Sequence, residues 1–66
     1  MTHAAVPDAR ILAVIAADAG LAPDAVWLGE ADGVWYRAVD GSLRTICQRG
    51  TRYWCDVEAA LAHVQP

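Results

Sequence analysis

Apolar residues near the start of the chain recur at the spacing of an α-helix. The stripe that they form comprises Ile11, Leu12, Ile15 and Ala19. Pro7 suits the first turn of a helix because its missing N–H needs no partner there. Gly20 followed by Leu21 is typical of a left-handed C-cap with its hydrophobic contact. The pattern predicts a helix from about residue 7 to about residue 19 with one buried face.

Turn signals recur every eight or nine residues in the middle of the chain. They are Asp32-Gly33, Asp40-Gly41 and Arg49-Gly50. An Asp-Gly pair is a strong hairpin signal because both turn positions need positive φ. We therefore expect antiparallel strands between these turns. Their expected ranges are 26–31, 34–39, 43–48 and 51–55.

A second helical pattern lies towards the end of the chain. It begins at Asp56, a favourable N-cap. The apolar positions that follow share one helix face, and they are Val57, Ala60, Leu61 and Val64. The order of elements predicts one small α+β domain over residues 1–66. It would have an N-terminal helix, a three- or four-stranded antiparallel meander and a short C-terminal helix packed on one sheet face.

Alternation along the strands divides the predicted sheet into two faces. A two-residue turn at Asp40-Gly41 fixes the register of the hairpin. The expected cross-strand pairs are Arg37 with Arg44 and Trp35 with Ile46. The predicted core face comprises Val34, Tyr36, Ala38, Leu43, Thr45 and Cys47, with Tyr53 and Cys55 if the next turn contains an extra residue. The predicted free face comprises Trp35, Arg37 and Arg44 with Ile46 between them, and Arg52 and Trp54 join it if that extra residue is present.

Two interpretations of this free face remain open. In the first, the aromatic rings shield the sheet and the arginines stack on them with their charge in water. In the second, the rings stack on bases and the guanidinium groups neutralise phosphates. The second interpretation predicts a small DNA- or RNA-binding regulatory domain.

The charged residues are unevenly distributed along the chain. Four of the five arginines lie between residues 37 and 52, whereas seven of the eight carboxylates lie outside that segment, and the formal net charge is −3. The outlying carboxylates are Asp8, Asp18, Asp24, Glu30, Asp32, Asp56 and Glu58. They serve either as caps and solvating groups or as one acidic surface. Such a surface could imitate nucleic-acid phosphates and occupy a basic groove on a partner protein.

The composition excludes several enzyme classes. The chain contains no lysine, which removes a phosphate-loop lysine, a Schiff-base lysine and a lysine general base. Ser42 is the single serine, and no histidine is near it in the sequence. Glu30 and Asp32 flank a turn, where carboxylates ordinarily serve turn chemistry. We therefore expect no catalytic residue and no cofactor, and a function in binding rather than catalysis.

The cysteines and histidines do not form a metal-site pattern. Cys47 and Cys55 are eight residues apart without a second pair, and His3 and His63 lie near opposite ends of the chain. The predicted hairpin register keeps the two cysteines about four residues apart along the ladder, so no disulfide is expected. We expect two buried, reduced thiols and no bound metal.

The apolar stretches of the chain are short. Asp18 and Asp24 interrupt the longest of them, which falls below the roughly 18 consecutive apolar residues of a membrane span. The first five residues lack the charged and apolar regions of a secretion signal. We therefore expect a cytoplasmic protein without a membrane partner.

The profile as a whole resembles one group of proteins. A short, acidic, alanine-rich and lysine-free chain is similar to the small phage-encoded anti-CRISPR proteins, and most similar to inhibitors of type I interference complexes. The resemblance covers the whole chain in size, charge and α/β makeup and includes no shared motif. It implies an inhibitor in the host cytoplasm that binds a CRISPR surveillance complex and prevents target DNA binding. Its contacts would be the acidic surface or, as interface anchors, Trp27, Trp35 or Trp54.

Overall fold

The computed structural model describes residues 6–64 and shows an α+β fold. Its helices and strands are α1 (Asp8–Asp18), β1 (Val26–Leu28), β2 (Gly33–Arg37), β3 (Leu43–Gln48) and α2 (Arg52–Val64). Short 3₁₀ turns lie at Pro23–Ala25 and Glu30–Asp32. The predicted fold class is confirmed, with three strands in the described part of the chain. His3, the other residues of 1–5 and the side chain of Val64 lie outside the described part.

Helix α1 ends as its sequence predicts. Gly20 has a φ of 75°, and the N–H of Leu21 donates to the carbonyl of Ala16 at 2.8 Å. The N–H of Gly20 donates to the carbonyl of Ala17 at 3.1 Å, which completes a Schellman cap. The expected burial of Ala19 is wrong, because the helix ends at Asp18 and Ala16 takes the buried position instead.

The three strands form an antiparallel meander in the order β1-β2-β3. Strand β1 is shorter than predicted because the chain turns at Glu30–Asp32. Positive φ values fall on Ala31 (56°) and Asp32 (54°), whereas Gly33 is extended at −83°. The N–H of Gly33 donates to the carbonyl of Glu30, so the turn has the form of type I′. Its central residues are Ala31 and Asp32, one position earlier than the Asp32-Gly33 signal indicates.

The β2–β3 hairpin has a three-residue loop rather than the predicted two-residue turn. The N–H of Ala38 donates to the carbonyl of Ser42 at 2.8 Å, and Gly41 adopts a φ of 89°. Both the N–H and the hydroxyl of Ser42 donate to Asp40 Oδ1, at 2.9 and 2.6 Å, and these bonds hold the pKa of that carboxyl below its usual value. One extra loop residue turns β3 over relative to the prediction.

The expected cross-strand pairs are therefore wrong. The observed pairs are Trp35 with Thr45, Tyr36 with Arg44, Arg37 with Leu43 and, beyond a bulge, Val34 with Cys47. Leu43 and Thr45 leave the predicted core face and become exposed. Ile46, which was expected on the free face, is half-buried against the core. It is the extra residue of the bulge between the Val34–Cys47 and Trp35–Thr45 pairs.

Helix α2 starts at Arg52, four residues before the expected N-cap Asp56, and the strand predicted at 51–55 does not form. The hydroxyl of Thr51 donates to the carbonyl of Gln48 at 2.7 Å, and the N–H of Cys55 donates to the carbonyl of Thr51 at 2.9 Å. The helical turn carries Trp54 into the core, where it is 3% exposed beside Val57. Burial of that large side chain outweighs the β-propensity of the segment.

The core lies between the two helices and one face of the sheet. Its buried members are Val6, Ile11, Ile15, Ala16, Val26, Val34, Trp54 and Val57. Val26 and Val34 alternate along their strands with Trp27 and Trp35, whose side chains lie on the opposite face. The helices therefore cover one side of the sheet and leave the other side uncovered.

Candidate binding face of the sheet

The uncovered side of the sheet, here called the outer face, carries an apolar cluster. The register places Trp27, Trp35, Thr45, Leu43 and Arg37 on it. Trp27 on β1 is 39% exposed and Leu43 on β3 is 51% exposed, so both edge strands present a large apolar side chain to solvent on this face. An open cavity of about 320 Å³, the aromatic cleft, is lined by Trp27, Gly29, Glu30, Trp35 and Leu43.

The indole of Trp35 is held firmly at the floor of the aromatic cleft. Its Nε1–H donates to the carbonyl of Glu30 at 3.1 Å. A Cβ atom at Gly33 would lie 2.7 Å from the same Nε1, and one at Gly29 would lie 3.0 Å from Trp35 Cδ1. The ring therefore occupies space that these glycines leave open, and residue size at both positions decides how it packs.

Trp27 also lies close to Gly29. The Cβ position of Gly29 is 3.3 Å from Trp27 Nε1 and 3.4 Å from Trp27 Cδ1. Trp27 and Trp35 are direct cross-strand partners, so their pyrrole rings converge above the end of β1. Two indoles that converge on a partly exposed strand end provide a preformed aromatic surface.

The turn beside the aromatic cleft contains strained backbone. Alanine at Ala31 and aspartate at Asp32 both occupy the left-handed region, which costs about 1 kcal/mol or more for a residue with a Cβ. Two hydrogen bonds from the end of β3 and the residue after it hold this conformation. Gln48 Nε2 donates to the carbonyl of Ala31 at 3.2 Å, and the N–H of Arg49 donates to the carbonyl of Asp32 at 2.8 Å. Strain of this kind is concentrated at functional sites in proteins, and here it positions Glu30 at the cleft.

Arg49 lies at the centre of a small cluster of charged and aromatic side chains. Its guanidinium donates two hydrogen bonds to Asp8, lies 3.8 Å from Asp32 Oδ1 and stacks over the ring of Trp54, 5.3 Å from the ring centroid. The hydrogen bonds to Asp8 raise the pKa of Arg49, with smaller contributions from the charges of Asp8, Asp32 and Glu58. The charge of Arg49 is thus already paired with carboxylates of the protein itself.

The residues predicted to form a nucleic-acid-binding face do not share one surface. Trp35 and Arg37 lie on the outer face, but Arg44 pairs with Tyr36 on the other face. Arg52 lies on α2, and Trp54 is buried. The prediction of one shared face is wrong because it required a strand at 51–55 and a two-residue hairpin turn.

The arginines are also interspersed with carboxylates. Arg44 Nη2 lies 3.6 Å from Asp40 Oδ2, and Arg52 Nε lies 3.5 Å from Asp56 Oδ2. Arg37 donates to the carbonyl of Gly41 at 2.8 Å. The separation of charge along the sequence is therefore not a separation in space.

The seven predicted acidic residues are spread over the molecule. Asp8 and Asp32 surround Arg49, and Asp56 pairs with Arg52. Asp18, the last residue of α1, accepts a hydrogen bond of 2.5 Å from the hydroxyl of Tyr53. The remaining members of the set are Asp24 in the first 3₁₀ turn, Glu30 at the aromatic cleft and Glu58 on α2.

A second concave surface lies at the hairpin tip. It has a volume of about 380 Å³ and is lined by Tyr36, Ala38, Val39, Asp40 and Arg44. Val39 is fully exposed there. This concave surface contains the Arg44–Asp40 ion pair, and all of its lining residues belong to the β2–β3 hairpin.

The two cysteines are free thiols, but only one is partly buried. Burial raises the pKa of Cys47. Cys55 is exposed on α2, which corrects the expectation of two buried thiols. Residues 6–64 contain no group of three or more His, Cys, Asp or Glu side chains arranged to hold a metal ion. In the same part of the chain, neither helix is long and apolar enough to cross a membrane.

The combination of residues that forms the aromatic cleft is not apparent from the sequence. Trp27 and Trp35 are there only alternative interface anchors, and Glu30 is one of several acidic residues. The pattern places Leu43 on the core face and does not single out Gly29. The signal that could have found the site is the alternation Val26-Trp27-Leu28 followed by Val34-Trp35-Tyr36, which pairs the two tryptophans across a short turn.

Comparison with known proteins adds no relative. No model of a known protein family, no curated protein and no solved structure matches this chain. The function therefore has to be argued from the outer face and from the distribution of charge.

Proposed function

We propose that this chain is a small binding protein that acts on another protein through the outer face of its sheet, without catalysing a reaction. The observation that carries the proposal is the exposure of Trp27 and Leu43 beside the fixed ring of Trp35, on the side that neither helix covers. Exposed apolar clusters rimmed by polar residues are typical of protein interaction sites. Tryptophan is also among the residues that most often dominate interface energies.

The distribution of charge favours a protein partner over a nucleic acid. Affinity for a nucleic acid comes largely from cationic groups that neutralise phosphates. Within the described residues, Arg44, Arg49 and Arg52 already lie beside carboxylates. A DNA- or RNA-binding role remains the alternative proposal, and Arg37 beside Trp35 on the outer face is what supports it.

The most specific form of the proposal is an inhibitor that blocks a nucleic-acid-handling complex, as anti-CRISPR proteins do. Its support is the small size of the chain, its net charge of −3 and its lack of lysine. A partner with a basic groove would be attracted by that charge. Because several carboxylates pair internally, the aromatic cleft, rather than an extended acidic surface, supplies the main contact in this proposal.

The test replaces one residue of the outer face and one matched residue outside it. Leu43→Ala removes apolar surface beside the aromatic cleft without adding charge, whereas Val39→Ala is a similar truncation at the fully exposed hairpin tip. With a type I surveillance complex as the probe, we expect the parent chain and the Val39→Ala variant to prevent target DNA binding. The Leu43→Ala variant should lose at least about tenfold in potency, the effect of removing one moderate hot spot.

A gel shift separates the alternative from the proposal. Retention of plain DNA or RNA with a dissociation constant below about 100 µM at physiological salt would favour nucleic-acid binding. That result, together with its loss in Arg37→Gln but not in the uncharged Leu43→Ala, would overturn the proposal of a protein partner. Equal inhibition of the surveillance complex by both alanine variants would contradict the assignment of the outer face.

A further inference from the structure

The aromatic cleft combines two indoles with a carboxylate. Trp27 and Trp35 meet above Gly29, with ring atoms 3.0 to 3.4 Å from its Cβ position. Glu30 lines the same cavity, and it takes part in none of the ion pairs found in residues 6–64. The ring of Trp54, by contrast, already has a cation, Arg49.

Aromatic rings and carboxylates attract the same class of ligand. An indole face attracts a cation through its quadrupole, and tryptophan is the strongest of the side chains in this respect. A carboxylate at the edge of the ring adds a charge-assisted hydrogen bond. A planar guanidinium can stack on an indole and donate to a carboxylate at once, whereas an ammonium group is more strongly hydrated and lacks the flat surface.

The protein contains an example of this arrangement in its own fold. Arg49 stacks on Trp54 and donates to both oxygens of Asp8. The aromatic cleft presents the same two partners, indole and carboxylate, without a guanidinium from the described residues. The nearest arginine along the outer face is Arg37, and its hydrogen bond to the carbonyl of Gly41 at 2.8 Å directs it towards the hairpin tip.

We propose that the aromatic cleft binds an arginine side chain of the partner protein, with Trp27 and Trp35 contacting the guanidinium plane and Glu30 accepting its hydrogen bonds. This inference rests on the proposed function, because it names the chemistry by which the partner is recognised. It fits a partner whose groove is lined by arginines for phosphate binding. An arginine bound in the cleft is no longer available to bind phosphate in that groove.

The test uses the isolated chain and a small probe, so it does not depend on finding the partner. N-acetyl-L-arginine amide is titrated while the indole Nε1–H resonances of the protein are followed by NMR. N-acetyl-L-citrulline amide is the matched control, because it keeps the shape of the side chain and lacks the charge. A single exposed arginine should bind with a dissociation constant on the order of 10 mM and shift the indole signals of Trp27 and Trp35.

Three variants locate the binding. Glu30→Gln should weaken the arginine probe about threefold, and Trp27→Ala should weaken it about fivefold or more, in line with exposed charge and cation–π contacts. Asp24→Asn removes an equal charge from the first 3₁₀ turn, outside the cleft, and should leave the titration unchanged. Trp27 is partly exposed, so its replacement is not expected to unfold the chain.

The outcomes separate this inference from the proposed function. Equal shifts with the citrulline probe, unchanged affinity in Glu30→Gln, or no saturable shift up to about 100 mM arginine probe would overturn the arginine site. Inhibition of the surveillance complex that Leu43→Ala weakens would still support the outer face as the interface in that case. Conversely, a specific arginine titration without any partner effect of Leu43→Ala would leave the cleft assigned and the proposed function contradicted.

Discussion

Arg49 donates hydrogen bonds to both carboxylate oxygens of Asp8, at 3.1 and 2.9 Å, across 41 positions of sequence. The contact joins the turn before α2 to the first turn of α1, and it is backed by the stacking of Arg49 on Trp54. Both side chains are somewhat more than two-fifths exposed, so water weakens the pair. It nevertheless ties the turn before α2 to α1, and it occupies two of the N–H groups of this arginine.

The first prediction concerns the strength of this pair. A double-mutant cycle with Asp8→Ala and Arg49→Ala should give a larger coupling free energy than an exposed pair on one helix does, because two parallel hydrogen bonds fix the geometry. Urea unfolding of the four proteins measures it. The control cycle uses Arg52 and Asp56, an exposed pair one helical turn apart, for which about 0.3 kcal/mol is expected. Equal coupling in the two cycles would contradict a special role for Arg49.

The second prediction concerns the space beneath Trp35. Gly33→Ala should lower the free energy of unfolding by about 2 kcal/mol, because the new methyl group would lie 2.7 Å from Trp35 Nε1 and 3.0 Å from Thr45 Cγ2. The backbone of Gly33 suits alanine, since its φ is −83°, so the effect is one of packing. Gly29→Ala is the comparison, with closest contact 3.0 Å, and a smaller loss is expected there. An unchanged stability for Gly33→Ala in urea unfolding would refute the packing assignment.

The third prediction concerns the strained turn. Ala31→Gly should raise the free energy of unfolding by about 0.5 to 1 kcal/mol, because glycine adopts the left-handed region without a Cβ clash. Ala17→Gly on the exposed side of α1 should have the opposite effect, a loss of about 1 kcal/mol. Thermal or urea unfolding distinguishes the two signs. Destabilisation by both substitutions would show that residue 31 is not held at positive φ.

The fourth prediction concerns alkaline pH. The hydrogen bond to Asp18, with smaller contributions from burial and from the charge of Asp18, raises the pKa of Tyr53 to about 12 from a model-compound value of 10.0. The folded state therefore holds the phenol proton more tightly than the unfolded state does. Its contribution to stability is complete below about pH 10 and is lost as the pH rises to about 12.

A Tyr53→Phe variant removes this titration, whereas Cys47, whose pKa is raised by burial, is present in both proteins. The parent protein should be more stable than the variant by about 1 kcal/mol at neutral pH, where the hydrogen bond is intact. That difference should shrink steadily above about pH 10. Urea unfolding of both proteins across this range provides the measurement. A difference that stays constant to about pH 12 would show that Tyr53 does not carry the titration.

The sequence predicted the elements whose signals are local. The Gly20-Leu21 cap of α1 and the range of β3 follow from neighbouring residues, because a left-handed glycine and an alternating strand depend on backbone sterics close by. The start of α2 could not be read in the same way. Tyr53 and Trp54 have high β-propensity, and the burial of Trp54 against the core favours a helix instead.

The sequence by itself determined the α+β class, the C-cap of α1 and the absence of lysine chemistry. Tertiary structure alone decided which face of the sheet is free. One extra residue in the hairpin loop exchanged the faces of Leu43 and Arg44, because side chains alternate with a period of two. The meeting of Trp27, Trp35 and Glu30 and the pairing of Arg49 with Asp8 also arise only in the folded chain, since contacts between distant segments depend on packing rather than on local preference.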